Sequence, residues 1–312
     1  MADRPQASWA VLAFGATVVL VLAGCSATPV AKPSHPVHTA TPPALAGHLV
    51  WGLEQDDSVT LYTSNSDGSN PKPLGAAQHG EQPHFSPDGS KIAIVTSTAS
   101  GGVVGSVAKP NGSGQRVFKL PSGAPNLACA IWSPDASRLA CEGFDDNNPR
   151  LDGAYTVSST DGTDPQRLTQ GKDVPCAYSP DGAQLLFIRR DGPDDEHSSL
   201  MTVAVGGAHE TKVVTPSRVG LSCDWSPDGS TILSELDGSL LFIDAATGVT
   251  TPLTIDVRSG RASYSPDGTH IVFSRGTGDH QSDIWTAKID GTDLVRITST
   301  ENNDEEFGDW GP

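Results

Sequence analysis

From residue 49 onward, short apolar runs alternate with tight polar turns, and the alternation repeats. Runs such as KIAIVTS (91–97), QLLFIRR (184–190) and HIVFSRG (270–276) carry small, β-branched and aromatic residues. Such residues pack well on a pleated surface, so each run predicts a strand, B. After a loop of variable length comes a strand C, as in TLYTSN (60–65), LMTVAV (200–205) and DIWTAKI (283–289). A polar turn follows: DGSN (67–70), NGSG (111–114) or DGTD (161–164 and 290–293). Strand D then closes the unit, as in PQRLT (165–169) and LVRIT (294–298). Each set after the first is preceded by a strand A that ends in an aromatic and a turn. These turns read FSPDG (85–89), WSPDA (132–136), YSPDG (178–182), WSPDG (225–229) and YSPDG (264–268), with a worn copy, DWGP, at 309–312. Pro fixes φ and Asp-Gly supplies the reversal, so the Asp residues in these turns are read as turn formers and not as catalytic groups.

The aromatics lie 47, 46, 47, 39 and 46 residues apart. A period of roughly 40–50 residues with strand content predicts a propeller, one four-stranded blade per repeat. Sets B–C–D begin near 49, 91, 138, 184, 231 and 270, and strand A ends at Phe85, Trp132, Tyr178, Trp225, Tyr264 and Trp310. The first set (49–75) has no strand A before it, and the last strand A (305–312) has no set after it. The expected fold is therefore all-β: a six-bladed β-propeller of four-stranded antiparallel blades over 48–312, closed by pairing of its N- and C-terminal segments. Closure removes exposed sheet edges, which otherwise template aggregation.

The unit aromatic-Ser-Pro-Asp-Gly … Asp-Gly … Leu-Thr resembles that of the TolB-like propellers, over roughly 49–312. The resemblance implies a six-bladed propeller that serves as a docking platform in the cell envelope. The family's namesake carries a separate N-terminal α/β domain where this chain has only a tether, so the namesake's own partners are not carried over.

Residues 1–24 read as an export signal. The apolar stretch from Trp9 to Leu22 is about 14 residues, short of the roughly 20 that a membrane span needs and suited to a signal's apolar core. Leu22-Ala23-Gly24-Cys25 resembles the lipobox of bacterial lipoproteins, which implies cleavage before Cys25 and a diacylglyceryl group on its thiol. Residues 25–47 are rich in Pro, Ala and Thr and read as an extended tether. His35 and His38 lie there without further ligands, and no metal site is read from them. The expected location is the extracytoplasmic face of the cell membrane, held by lipid.

Composition narrows the class further. The 312 residues are 36% hydrophobic and 6% aromatic, with 33 Gly and 24 Pro, which excludes a helical bundle. A formal charge of −17 argues against nucleic-acid binding, which relies on Lys and Arg clusters. With Cys25 assigned to lipid, Cys129, Cys141, Cys176 and Cys223 remain, and four cysteines permit three pairings. Cys129 and Cys141 flank one A–B turn, and Cys176 and Cys223 each sit two residues before a strand-A aromatic of neighbouring blades. Disulfides Cys129–Cys141 and Cys176–Cys223 are the favoured set.

Topology places the A–B and C–D turns at one end of the propeller and the longer B–C loops and D–A connections at the other, where binding usually resides. That second rim is expected to gather Asp56, Asp57, Asp145, Asp146, Asp194, Asp195, Glu196, Asp279, Asp304, Glu305 and Glu306, with Arg189 and Arg190 reaching it too. Such a field suits a basic protein or peptide partner in the envelope, bound by a monomer. The reading from another class is a channel-mouth enzyme, or a ligand- or glycan-binding propeller using a divalent cation such as Ca²⁺. For it, the residue before each strand-A aromatic offers His84, Ile131, Ala177, Asp224, Ser263 and Asp309. No G-x-S-x-G elbow, phosphate loop or dinucleotide fingerprint is present, so no catalytic residue and no cofactor is assigned.

Overall fold

The computed structural model describes residues 45–312 apart from 56–57, 78–82, 99–100, 192–196, 208, 218, 254, 256–260, 279–280 and 301–303. The signal, Cys25 and most of the tether lie outside the described residues, as do Asp56, Asp57, Asp194, Asp195, Glu196 and Asp279. Apart from one 3-10 turn at Pro149–Leu151, the regular structure is all strand. Among the described residues no helix is long and apolar enough to cross a membrane.

The strands follow the predicted grammar. The first set comprises β1 (His48–Gln55), β2 (Ser58–Asn65) and β3 (Lys72–Ala77), and the next β4 (His84–Phe85), β5 (Ile92–Ser97), β6 (Val103–Ala108) and β7 (Arg116–Val117). Then come β8 (Asn126–Trp132), β9 (Arg138–Phe144), β10 (Gly153–Ser158) and β11 (Gln166–Arg167). Two plain four-stranded antiparallel sheets follow. One is β12 (Lys172–Tyr178), β13 (Gln184–Asp191), β14 (His197–Ala204) and β15 (Glu210–Ser217). The other is β16 (Val219–Trp225), β17 (Thr231–Leu236), β18 (Ser239–Asp244) and β19 (Thr250–Pro252). The chain ends with β20 (Ala262–Tyr264), β21 (His270–Gly278), β22 (Gln281–Lys288), β23 (Val295–Arg296) and β24 (Asp304–Gly311). Single parallel bridges, Val104↔Leu127 and Ser282↔Asp304, join neighbouring antiparallel sets into two eight-stranded sheets.

β24 pairs antiparallel with β1, with Leu49 opposite Trp310 and Glu54 opposite Asp304. Trp310 is buried against Leu49, Trp51, Val272 and Ile284, and its indole N–H donates to the Ala46 carbonyl at 3.1 Å. Gly311 is needed by close approach. A Cβ there would lie 2.3 Å from Cγ of Phe85, so glycine stands where the other copies of the turn have serine.

Burial explains why strand B reads as a continuous apolar run. Leu185, Leu186, Phe187 and Ile188 of β13 are all fully buried, so both faces of the strand are covered by neighbours and no polar alternation survives. The outer strands are shorter than the five-residue runs predicted at 165–169 and 294–298. Pro165 has no N–H to offer a ladder. Beyond Arg167, the N–H groups of Leu168 and Thr169 both turn to the Ala154 carbonyl (2.8 and 3.4 Å), while Thr169 Oγ1 accepts the Ala154 N–H at 2.8 Å. Ile297, Thr298 and Ile284 repeat the arrangement at 2.8, 3.3 and 2.9 Å. The Leu-Thr signature is thus a strand end, with the threonine hydroxyl standing in for the next carbonyl.

Both expected disulfides are present. Cys129 and Cys141 are register partners on β8 and β9 with Cα atoms 3.9 Å apart, and Cys176–Cys223 joins β12 to β16 at 5.5 Å.

Candidate functional site

The six residues that precede the strand-A aromatics converge. His84, Ile131, Ala177, Asp224, Ser263 and Asp309 all line one cavity of about 280 Å³, together with Arg261 and aromatic walls that include Trp132 and Trp310. They sit on β4, β8, β12, β16, β20 and β24, one from each strand A.

Two of the carboxylates tie neighbouring inner strands together. Asp309 Oδ2 accepts the backbone N–H of Phe85 at 2.9 Å, and its Oδ1 lies 3.7 Å from His84 Nδ1. Asp224 Oδ2 accepts the N–H of Tyr264 at 2.8 Å, and Oδ1 accepts that of Trp225 at 2.8 Å. Asp224 is half-buried and lines the cavity. Desolvation pushes its carboxyl up to about 7, seconded by the charge of Asp309 and opposed by the two backbone N–H donors and by His84. Ser263 is only 5% exposed, and its Oγ has no hydrogen-bond partner. Among the described residues no group of three or more His, Cys, Asp or Glu side chains is placed to hold a metal.

The turn aspartates are occupied structurally. In each Ser-Pro-Asp turn the serine hydroxyl donates to the aspartate, Ser86 to Asp88 at 2.6 Å and Ser226 to Asp228 at 2.7 Å, with the same bond at Asp135, Asp181 and Asp267. These hydroxyls, seconded by backbone N–H donors, hold Asp88 and Asp228 down at about 2. Gly89 occupies the left-handed region at φ +67°, and Ala136 takes the same place at φ +58°.

The described rim acids divide. Asp146 is exposed, and Asp145 Oδ1 accepts the N–H groups of Asn147 and Asn148 at 2.9 and 3.0 Å. Asp145, Asp146 and Asn147 edge a second cavity of about 430 Å³, walled by Thr98, Phe118, Leu120 and Asn126 from neighbouring B–C and D–A segments. Asp304 accepts from Ser282 Oγ at 3.2 Å, and Glu306 lies 3.6 Å from Arg261 Nη2. Glu305 departs from the expectation of an exposed rim acid. It is 2% exposed and accepts from Thr298 Oγ1, and burial raises its carboxyl. Alternation along β24 turns it inward. Arg189 is held by carboxylates. It forks onto the fully buried Asp173 at 2.8 and 2.7 Å and reaches Glu210 at 2.6 Å.

Sequence reasoning found the cavity's inner ring but gave no role to Ser263 or Arg261. A serine that breaks an Asp/His pattern carries no signal until its hydroxyl is seen unpaired. Arg261 lies outside the repeat, and Phe118 is connected to Asp145 only through the fold.

The profile of the TolB beta propeller domain matches residues 46–312. Among solved structures, the chain is similar to TolB from Acinetobacter baumannii, with a TM-score of 0.66 and 20% identity, covering 88% of this chain and 66% of that one. It is also similar to a putative TolB from Agrobacterium tumefaciens, with a TM-score of 0.64 and 16% identity, covering 85% and 99%. A Mycobacterium tuberculosis puromycin-hydrolyzing peptidase shares the fold at a TM-score of 0.50 and 16% identity, over 82% of this chain and 45% of that one. Among curated proteins none matches.

Proposed function

The chain belongs to the TolB beta propeller domain family, and on that footing we propose that it is a lipid-anchored, extracytoplasmic binding scaffold. Cys25 carries the lipid, residues 25–47 form the tether, and a monomeric ring of six four-stranded blades presents its B–C and D–A loops to a basic protein or peptide of the envelope. The antiparallel pairing of β24 with β1 supports ring closure, as does the meeting of one residue from every strand A in a single cavity. The observation that carries the binding face is the 430 Å³ cavity edged by Asp145 and Asp146 on the loop side. Its size falls within the roughly 300–1,000 Å³ of ordinary ligand pockets, and its acids favour a cationic side chain. The scaffold is read as non-enzymatic, since the chain carries no G-x-S-x-G elbow and the turn carboxylates are used in the turns.

Cross-linking in the native envelope, followed by mass spectrometry, tests the reading. A recurrent envelope partner that is lost on Asp145→Lys with Asp146→Lys, in a chain of unchanged stability, is the expected result. An unchanged partner set would remove this face from the account, and recovery of an unlipidated chain in the soluble fraction would remove the anchor.

A further inference from the structure

Neighbouring inner strands are tied together by different chemistry. Asp309 reaches from β24 to the Phe85 N–H of β4, and Asp224 reaches from β16 to the Tyr264 N–H of β20. The Trp132 indole N–H of β8 donates to the His84 carbonyl of β4 at 3.0 Å. Between β12 and β16 the residue in the aspartate's register is Ala177, which has no side-chain acceptor to offer. The Trp225 N–H turns instead to Asp224 of its own strand. Here the tie is covalent, the Cys176–Cys223 disulfide.

The two disulfides differ in access. Cys129 and Cys141 are 0% exposed, inside an apolar cluster with Phe118, Leu127 and Tyr155. Cys176 and Cys223 retain 9% and 5%, and both line the inner cavity of about 280 Å³. Ordinary ligand pockets begin at roughly 300 Å³, so the cavity has room for a dithiol of a few carbons. Thiol–disulfide exchange depends on whether the attacking thiolate can reach a sulfur.

We propose that Cys176–Cys223 is a redox modification site: a small dithiol entering the inner cavity reduces it in the folded chain, while Cys129–Cys141 stays oxidised. The reagent's thiolate attacks one sulfur of the pair and forms a mixed disulfide, as the bond between the cysteines breaks and the second leaves as thiolate. The reagent's other thiol then displaces the first cysteine and closes a cyclic disulfide. Two electrons pass from the dithiol to the protein, and its two protons end on the thiols of Cys176 and Cys223. Other links between the two sheets survive. Ser198 Oγ donates to the Val219 carbonyl at 2.9 Å and accepts its N–H at 2.8 Å, and Leu186, Ile188, Val219 and Ile232 share one buried cluster. Reduction therefore loosens β12 from β16 without unfolding the chain, and oxidation restores the same pair. The inference does not rest on the loop-face partner.

Treating the full chain with dithiothreitol under native conditions, quenching with iodoacetamide at intervals and mapping alkylation by mass spectrometry tests it. Cys176 and Cys223 should be alkylated together, roughly tenfold or more faster than Cys129 and Cys141, at a rate unaffected by urea below the unfolding transition. Circular dichroism should stay unchanged, and hydrogen exchange should rise in β12 and β16 but not in β8 and β9. Removing the reductant under air should restore Cys176–Cys223. The proposal is overturned by equal rates at the two disulfides, by a Cys176–Cys223 rate that climbs with urea, by resistance of that pair while the chain is folded, or by reduction that unfolds the chain.

Discussion

Asp309 and Phe85 are 224 residues apart in sequence, yet the Asp309 carboxylate accepts the Phe85 backbone N–H at 2.9 Å. Asp224 and Tyr264 repeat the bond at 2.8 Å between the next pair of inner strands that carry an aspartate. At both places a side chain on one strand A takes up the N–H of the aromatic on the following one. The inner edge of each strand therefore need not be left to water.

Removing that acceptor has a cost that can be stated. Phe85 is buried, so Asp309→Ala leaves its N–H without a partner and should destabilise the chain by about 1–3 kcal/mol. Asp309→Asn retains one amide oxygen and should recover most of the loss. Urea unfolding of the two variants checks this, and equal midpoints for Ala and parent would contradict it.

Asp224 predicts a pH slope of definite sign. Its folded carboxyl sits at about 7, above the ordinary value of 3.8, so the native state holds this proton more tightly than the unfolded chain does. The stability it contributes is full below about pH 4 and is lost as pH rises through about 7. Thermal melts across that window should show a decline that Asp224→Asn flattens. An identical slope in the variant would assign the decline elsewhere.

The turn aspartates have the opposite sign. Asp88 and Asp228 are held at about 2, below the ordinary 3.8, so their contribution is present above about pH 4 and is lost as pH falls toward 2. Carboxyl titration followed by NMR should place both groups well below the surface acids that lie outside such turns, and values near 4 would refute the turn geometry.

Ala136 stands where four other copies of the turn have glycine, at φ +58°. A left-handed alanine costs roughly 1–2 kcal/mol, and glycine gives back about 0.5–1 kcal/mol of that in chain entropy. Ala136→Gly should therefore raise stability by up to about 1 kcal/mol in denaturant unfolding. A destabilised variant would mean that the Ala136 methyl group contributes more through packing than the strain costs.

The two disulfides close loops of different length, with sequence separations of 12 and 47. Loop entropy gives about 3 kcal/mol for the shorter and about 4 kcal/mol for the longer. Paired Ser variants should follow that order, with Cys176→Ser/Cys223→Ser the weaker chain. The reverse order would point to native-state packing as the larger effect.

The strand order was readable because each repeat carries the same turn chemistry, and the aromatic and the proline persist even where Ala136 replaces the glycine and Gly311 the serine. The pairing of Cys176 with Cys223 was readable for the same reason, since both hold the same register before an aromatic. What pattern could not supply was burial. Glu305 reads as one of a run of surface acids, yet the pleat of β24 turns it inward, while its neighbour Glu306 reaches Arg261. The cavity edged by Asp145 needed Phe118 from the preceding set of strands, and no local spacing connects the two.

Glu54 and Asp304 are register partners across β1 and β24, which makes them the direct probe of how the chain ends meet. Glu54→Cys with Asp304→Cys, oxidised and mapped by non-reducing mass spectrometry, should give an intramolecular bond between these two positions in a chain with unchanged circular dichroism. Free thiols at both positions, or bonds formed only between molecules, would contradict the pairing and the closed ring proposed from it.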